Sequence, residues 1–390
     1  MEQKRSSNPR RRSKQQIYSL KHQLLRLPWL LLIVLGLYIP RLISGDSHSI
    51  ETIYSRTIYP VVSSILASLT SLLPISAAEV LMVLLPAVFL LVLVIRLIRI
   101  AMADLALKHY YRLRFYSFLI SLGIFAGIML NAFYCVWGLN YFREPLAYTL
   151  DLNVRERPVD ELASVYTQLA LEAVELRSGV DSDYRGVYMI GNYSDEYKSV
   201  VLAYRKLGES NPVFDKAVYR AKSVALSEAM SVLGIAGIYI PFTGEMNINV
   251  NQPDLYILAD AAHETAHYMG FAREDEANFL AFYAAQFSDD ISFRYSATML
   301  ALVNCGNKLV EKDPELYYSI RGELFTEGME KDLEEYRNYY NTYDKTVAKS
   351  VSDNVNDAYL KHNGLDDGVD SYGRMVDLII AYYESIGKLN

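Results

Sequence analysis

The sequence predicts a membrane-anchored, mainly α (α+β) protein: three transmembrane helices followed by a mostly helical domain carrying a small β-hairpin or edge sheet. Three observations predict it. Apolar stretches long enough to cross a bilayer are confined to the first third of the chain. Helical periodicity with polar caps dominates from Asn140 onward. Inside that helical region stands one five-residue histidine motif, His263-Glu264-Thr265-Ala266-His267.

The chain has 390 residues, room for more than one domain, and 52% of them are hydrophobic, high for a soluble protein. Residues 1–26 are polar and basic, with Lys4, Arg5, Arg10, Arg11, Arg12, Lys14, Lys21 and Arg26. They read as a disordered tail and not a nucleic-acid module, because they run directly into an apolar stretch. The membrane region, 27–140, holds spans at about Leu27 to Ile43, Glu79 to Ile95 and Phe115 to Trp137. The first has two readings, a signal peptide or an uncleaved anchor; the anchor is expected, since Ser44-Gly45-Asp46 is a poor small-x-small cleavage site and Pro40-Arg41 interrupts the approach to it. Between Pro60 and Pro74, Val61, Ile65, Leu66, Leu69, Leu72 and Leu73 recur at helical spacing. That segment, 61–74, has two readings: an amphipathic helix on the lipid bilayer, or a buried packing helix.

Short cytoplasmic loops hold the excess of Lys and Arg beside membrane spans. The tail is basic, and the connector after the second span carries Arg96, Arg99, Lys108, Arg112 and Arg114, whereas the loop between the first two spans has little beyond Arg41 and Arg56. The N-terminus is therefore expected in the cytoplasm and residues 141–390 outside it. Net charge is −7 despite the basic tail, so the distal domain is acidic and nucleic acid is not an expected partner. Cys135 and Cys305 form no disulfide framework.

In the distal domain, helices are expected at about Asp160 to Leu176, Asp195 to Leu207, Val213 to Leu233, Ile291 to Leu309, Pro314 to Tyr340, Lys345 to Lys361 and Val369 to Ile386. The β signal is concentrated in Gly237 to Phe242 and Met246 to Val250, alternating apolar and polar residues across a Thr-Gly turn. Pro241 favours a sheet edge for the first run. Glu245, in the turn, reads as a turn residue or as a carboxylate facing the site.

On a helix, residues i and i+4 lie one above the other, so His263 and His267 can aim two imidazole nitrogens at one ion. That is how zinc is held by H-E-x-x-H, with the Glu, here Glu264, taking the proton of a water whose pKa the metal lowers. Gly270 suits a left-handed helix end. A second helix from about Ala272 would put Glu274, Asn278 and Ala281 on one face, supplying the carboxylate that the histidines lack.

Glu274-Asp275-Glu276-Ala277-Asn278 resembles the E-x-x-A-D or E-x-x-A-N ligand motif of gluzincin-type zinc peptidases, including integral-membrane peptidases and the family of phage-repressor-cleaving and radiation-response regulators. The resemblance implies a zincin-like domain, Zn2+ held by His263, His267 and Glu274, Asn278 bracing the site, Glu264 as general base, and a peptide or protein substrate. The whole chain resembles the bacterial domain-of-unknown-function 3810 family. The residues that carry this are Gly237 to Glu245, His263 to Asn278, and Ser371 to Asp377. It implies a multi-pass protein of the bacterial cell membrane.

The spacing also nearly fits H-E-x-x-H-x-x-G-x-x-H, where Arg273 would take the third-ligand place and cannot bind zinc, so Glu276 stays open as a rival ligand. Two residues apart on a helix is about 200° of rotation, so Glu274 and Glu276 cannot both face one ion on a regular helix. Glu274 shares its face with Asn278 and Ala281, while Glu276 is placed to pair with Arg273. Peptidases of this type add a donor to stabilise the oxyanion, for which Tyr372 and Arg374 are candidates, with Tyr359 and His362 behind them. Two other classes stay open: a zinc hydrolase of a non-peptide envelope amide or ester, and a membrane sensor or scaffold with structural zinc. On the orientation derived above, a reporter active only in the cytoplasm is expected to be silent when fused after Asn390, and its activity there would reverse the topology.

Overall fold

A computed structural model describes residues 20–43, 45–363 and 374–389. Most of the basic tail, and the candidate Tyr372, lie outside the described residues. Among the described residues the chain divides into two compact units. One comprises 20–43 and 80–135, the other 45–79, 136–363 and 374–389.

The first unit carries three helices long and apolar enough to cross a membrane. They are α1 (Leu31–Ile43, the end of an apolar stretch beginning at Lys21), α3 (Ala77–Ala101, whose first turn belongs to the second unit) and α4 (Leu105–Val136). α1 and α4 meet through small residues, which let two backbones approach closely where no hydrophobic effect drives association. A Cβ on Gly127 would lie 2.9 Å from the Ile33 nitrogen, and one on Gly36 2.7 Å from the Leu130 side chain. Asn131 Nδ2 donates to the Leu32 carbonyl (2.7 Å), and Arg26 donates to Ser117 Oγ (2.8 Å) and Ser121 Oγ (2.6 Å). The middle of α3 is apolar on all sides, and Leu81, Leu84, Leu85, Leu90 and Leu91 are exposed there, a surface suited to lipid.

Near the start of the second unit, after one helical turn at Ser47–Ser49, a π-helical stretch, Ile50–Ile58, runs into α2 (Tyr59–Ser71). Tyr59, Ser63 and Ala67 on α2 are buried within this unit, so the packing reading describes that face. The opposite face, Val61, Ile65 and Leu69, is exposed. The distal helices are α5 (Val159–Arg177), α6 (Tyr193–Ser210), α7 (Ser227–Val232), α8 (Ile257–Tyr268), α9 (Glu274–Ala285), α10 (Ile291–Lys312), α11 (Pro314–Leu324), α12 (Glu327–Tyr343), α13 (Val347–His362) and α14 (Met375–Ser385). The core lies where α8, α9 and α10 pack together, and Ala259, Ala262, Phe279, Phe282, Ala297 and Leu302 are fully buried there.

Beside this core is a three-stranded sheet of β1 (Lys222–Ser223), β2 (Gly237–Ile240) and β3 (Glu245–Ile248), in the order β1-β3-β2. β2 and β3 form the expected antiparallel hairpin, with Ile240 opposite Glu245 and Gly237 opposite Ile248, and β2 takes the edge. β1 adds in parallel on the far side of β3.

Two expected helices are corrected. Val213 to Leu233 is not one helix: it holds a 3-10 turn at Pro212–Phe214, then β1, then α7. Pairing with β3, including Val224 N–H to the Ile248 carbonyl (3.0 Å), overrides the local helical periodicity. Pro314 to Tyr340 breaks at Phe325, where the extended Thr326 accepts from the Met329 N–H and starts α12 afresh.

One buried charge joins three pieces of the distal core. Asp332 on α12 accepts from Arg177 Nε at the end of α5 (2.6 Å), from Tyr295 Oη on α10 (2.6 Å) and from the Tyr188 N–H (2.7 Å). Removing one partner strands a buried guanidinium, which costs about 3–5 kcal/mol. Asp332→Ala is expected to lower stability by about that amount. A substantially smaller loss for the double change Arg177→Met with Asp332→Leu is also expected, both read by denaturant unfolding of the full chain in detergent.

Candidate metal centre

The sequence Ile-Leu-Ala-Asp-Ala-Ala-His-Glu-Thr-Ala-His-Tyr builds α8 from small residues that allow close packing and presents both histidines on one side. Gly270 ends it in the left-handed conformation (φ 95°). The Phe271 N–H bonds back to the Ala266 carbonyl (3.1 Å) and the Gly270 N–H to the His267 carbonyl (3.0 Å), the paired closure of a Schellman turn. No side chain is accommodated at Gly270, because a Cβ would stand 2.9 Å from the Tyr59 ring.

That turn has a chemical consequence. His267 Nδ1 lies 2.8 Å from the Phe271 carbonyl oxygen, which can only accept, so Nδ1 carries the proton. His263 Nδ1 lies 2.8 Å from Asn278 Oδ1 on α9. With both Nδ1 atoms engaged, both Nε2 atoms are turned to one point, the arrangement that fixes metal-binding imidazoles.

Glu274, the first residue of α9, enters at that point. Its Oε2 is 3.1 Å from His263 Nε2 and its Oε1 3.6 Å from His267 Nε2. Among the described residues, His263, His267 and Glu274 form the one group of three ligand-type side chains whose ligand atoms lie within 4.8 Å of one another. Burial opposes ionisation of Glu274, yet the charge of His267 and hydrogen bonds from both histidines hold it well below the ordinary carboxylate range. Burial likewise disfavours a charged His263, but its hydrogen bond to Glu274 and the surrounding carboxylates raise it to about 9.

Glu264 is buried beside the triad. Burial pushes its carboxyl group up, partly countered by the charges of His263 and His267 and by the Tyr239 N–H. Its Oε2 has no hydrogen-bond partner among the described residues. β2 passes directly over this carboxylate, for a Cβ on Gly237 would come within 2.7 Å of Glu264 Oε1. In the β2–β3 register Gly237 and Tyr239 sit at positions whose main-chain groups face away from β3, so the free edge of the sheet looks onto Glu264.

Glu276 points elsewhere. Its Oε1 accepts from the Leu146 N–H (2.7 Å) and lies 3.6 Å from Arg273 Nη1, and burial raises it to about 6 against the partial offset of Arg273. Arg374 Nε is 3.5 Å from Asp275 Oδ2, next to the ligand-bearing turn of α9. Tyr359 stacks edge-on against Tyr141 (centroids 5.7 Å), and His362 ends α13. Glu245 is an internal clasp: its two oxygens accept from the Ala77 and Ala78 N–H groups (3.0 and 2.8 Å), and Lys222 Nζ lies 2.7 Å away.

Sequence reasoning missed the groups behind α8. Trp137 Nε1 donates to the His267 carbonyl (3.1 Å), and Tyr59 Oη donates to the Tyr268 carbonyl (2.8 Å). These satisfy the last carbonyls of the helix that bears the histidines.

From this geometry, Glu274→Ala in the full chain is expected to abolish stoichiometric zinc retention, and Glu276→Ala to leave it. Asn278→Ala is expected to weaken zinc affinity about 10–100-fold. Metal analysis after dialysis, with competitive chelator titration, checks all three. Loss of metal in Glu276→Ala alone would mean that α9 turns its other face to the histidines.

No curated protein and no solved structure matches this chain. A family model described as "Protein of unknown function (DUF3810)" matches residues 54–380, from the π-helical stretch to α14, and the chain belongs to that family.

Proposed function

We propose that this protein is a membrane-anchored zinc hydrolase, most simply a metallopeptidase with a zincin-like distal domain and a gluzincin-like site. Its ligands are His263, His267 and Glu274. The observation that carries the proposal is the pairing of that triad with a buried, unpartnered oxygen of Glu264. A structural zinc site is normally closed by four protein ligands and needs no spare carboxylate, whereas a catalytic one has three and a base beside the open position.

When bound, zinc supplies a Lewis acid that polarises the scissile carbonyl and acidifies water. Glu264, its carboxyl already pushed up by burial, accepts the proton of the attacking water and returns it to the leaving amine. Asn278 and the Phe271 carbonyl hold the two imidazoles in the required tautomer. The free edge of β2 supports a peptide substrate over an envelope amide or ester: an extended chain can add to it by main-chain hydrogen bonds above Glu264. Tyr372 and Arg374 are the proposed oxyanion donors, and Arg374 stands one residue from the ligand Glu274 through its pairing with Asp275. With the N-terminus in the cytoplasm, the distal domain works outside the membrane of a bacterial cell.

Glu264→Gln tests the base directly. The variant is expected to keep one equivalent of zinc per chain while hydrolysis falls by about 10²–10⁴. A non-catalytic zinc sensor or scaffold predicts no hydrolysis by the unaltered protein, and full activity in the variant would refute the mechanism.

A further inference from the structure

The second unit contains a groove of about 830 Å³ walled by Ser71, Leu72, Leu73 and Pro74 on one side and by α6 and the segment leading into β1 on the other. Four cationic side chains line it, Lys198, Arg205, Arg220 and Lys222, and no Asp or Glu does. In a chain of net charge −7 that concentration of one sign needs a cause.

The four cations differ in what they already hold. Lys222 is structural: besides Glu245 it donates to the Thr70 and Ile75 carbonyls (2.8 and 2.9 Å), tying down the leucine wall. Lys198 pairs with Asp195 at the surface. Arg220 makes only long bonds to Ser194, to its carbonyl (3.3 Å) and to Oγ (3.5 Å). Arg205 is exposed and makes no hydrogen bond or ion pair among the described residues. Two guanidiniums with spare donors, shaped to grip a phosphate by two parallel bonds, therefore open into one groove.

The opposite wall is apolar and exposed. Leu72 is 80% exposed, and Leu73, Ile75, Leu69, Ile65 and Val61 continue the surface along α2. Such a surface marks a membrane or partner contact. The chain itself indicates which, because α3, apolar enough to span a bilayer, begins at Ala77, three residues past Pro74. Three residues reach at most about 11 Å. The headgroup layer is about 5–8 Å deep on each side of the hydrocarbon, so the groove wall stands within reach of it.

We propose that this groove binds the phosphate of an anionic membrane lipid, Arg205 and Arg220 holding the headgroup while Leu72 and Leu73 lie along the acyl chains. This site does not depend on the reading of the metal centre. It would fix how deeply the distal unit sits at the bilayer surface.

The test uses the full chain in a neutral maltoside detergent, with retention of added short-chain phosphatidylglycerol followed by native mass spectrometry and inorganic phosphate binding followed by calorimetry. One lipid equivalent is expected. Each basic residue near an anionic surface contributes about fivefold, so the double variant Arg205→Gln, Arg220→Gln is expected to bind about 30-fold more weakly. Leu72→Ser with Leu73→Ser should also weaken the lipid while leaving inorganic phosphate unaffected. All four positions are exposed, and an unchanged melting temperature verifies folding of the variants. Lipid retention unchanged in the arginine variant overturns the site. Inorganic phosphate binding as tightly as the lipid, with the leucine variant indistinguishable from the parent, overturns the lipid as its occupant in favour of a free anion.

Discussion

The hydrogen bond from His267 Nδ1 to the Phe271 carbonyl is the constraint on which the rest of the site depends. It exists because Gly270 turns the chain through a conformation that side chains resist, which returns the backbone to the histidine four residues earlier. The same turn ends α8 and starts α9 only three residues later, so Glu274 arrives at the Nε2 atoms at the first position of its helix. Three acidic residues then crowd the positive end of the α9 dipole, where they are favoured. Beneath the turn, buried Arg143 donates to the Gly270 carbonyl (2.9 Å), lies 3.9 Å over the Phe271 ring and pairs with buried Glu51. Residues far apart in sequence thus hold a single tight bend.

A second set of contacts ties the sheet to the start of a span. Glu245 on β3 caps the first N–H groups of α3, and Ser76 donates to Asn247 Oδ1 (2.6 Å). In return Glu79 on α3 accepts from the Ala225 and Leu226 N–H groups (3.2 and 2.7 Å) at the head of α7. The edge strand over Glu264 is therefore held through β3 to the first turn of a helix that is apolar enough to enter a bilayer. Carboxylates at helix N-termini are stabilising, and here one such cap joins β3 to the start of α3 and a second joins α3 to the head of α7.

The parts of this fold that could be read from sequence are those fixed by local pattern. The apolar runs mark the spans, and Pro40 and Pro86 within α1 and α3 did not obscure them. Alternation across Thr243-Gly244 marks the hairpin, with Gly244 in the left-handed conformation that the turn requires (φ 68°). The i,i+4 histidines and the next acidic helix start mark the cluster. What was not legible is tertiary. β1 is two residues long and exists only because β3 is beside it, so its stretch read as helix. The brace on His267 is a main-chain oxygen that any residue could supply. Trp137 reads as the end of a membrane span, yet its indole N–H is spent on the carbonyl of a histidine far along the chain. Glu245 reads as a turn residue because its partners, the amides of Ala77 and Ala78, carry no sequence signature at all.

The central claim is that the His263, His267 and Glu274 cluster is a hydrolytic zinc centre. The most direct measurement is zinc content and hydrolysis of a mixed peptide library on one preparation of the full chain in detergent, before and after chelation and again after zinc is restored. The account predicts one zinc per chain and cleavage that disappears with the metal and returns with it. Stoichiometric zinc with no cleavage of any library peptide under conditions where the protein stays folded, or cleavage that survives complete removal of the metal, would contradict it.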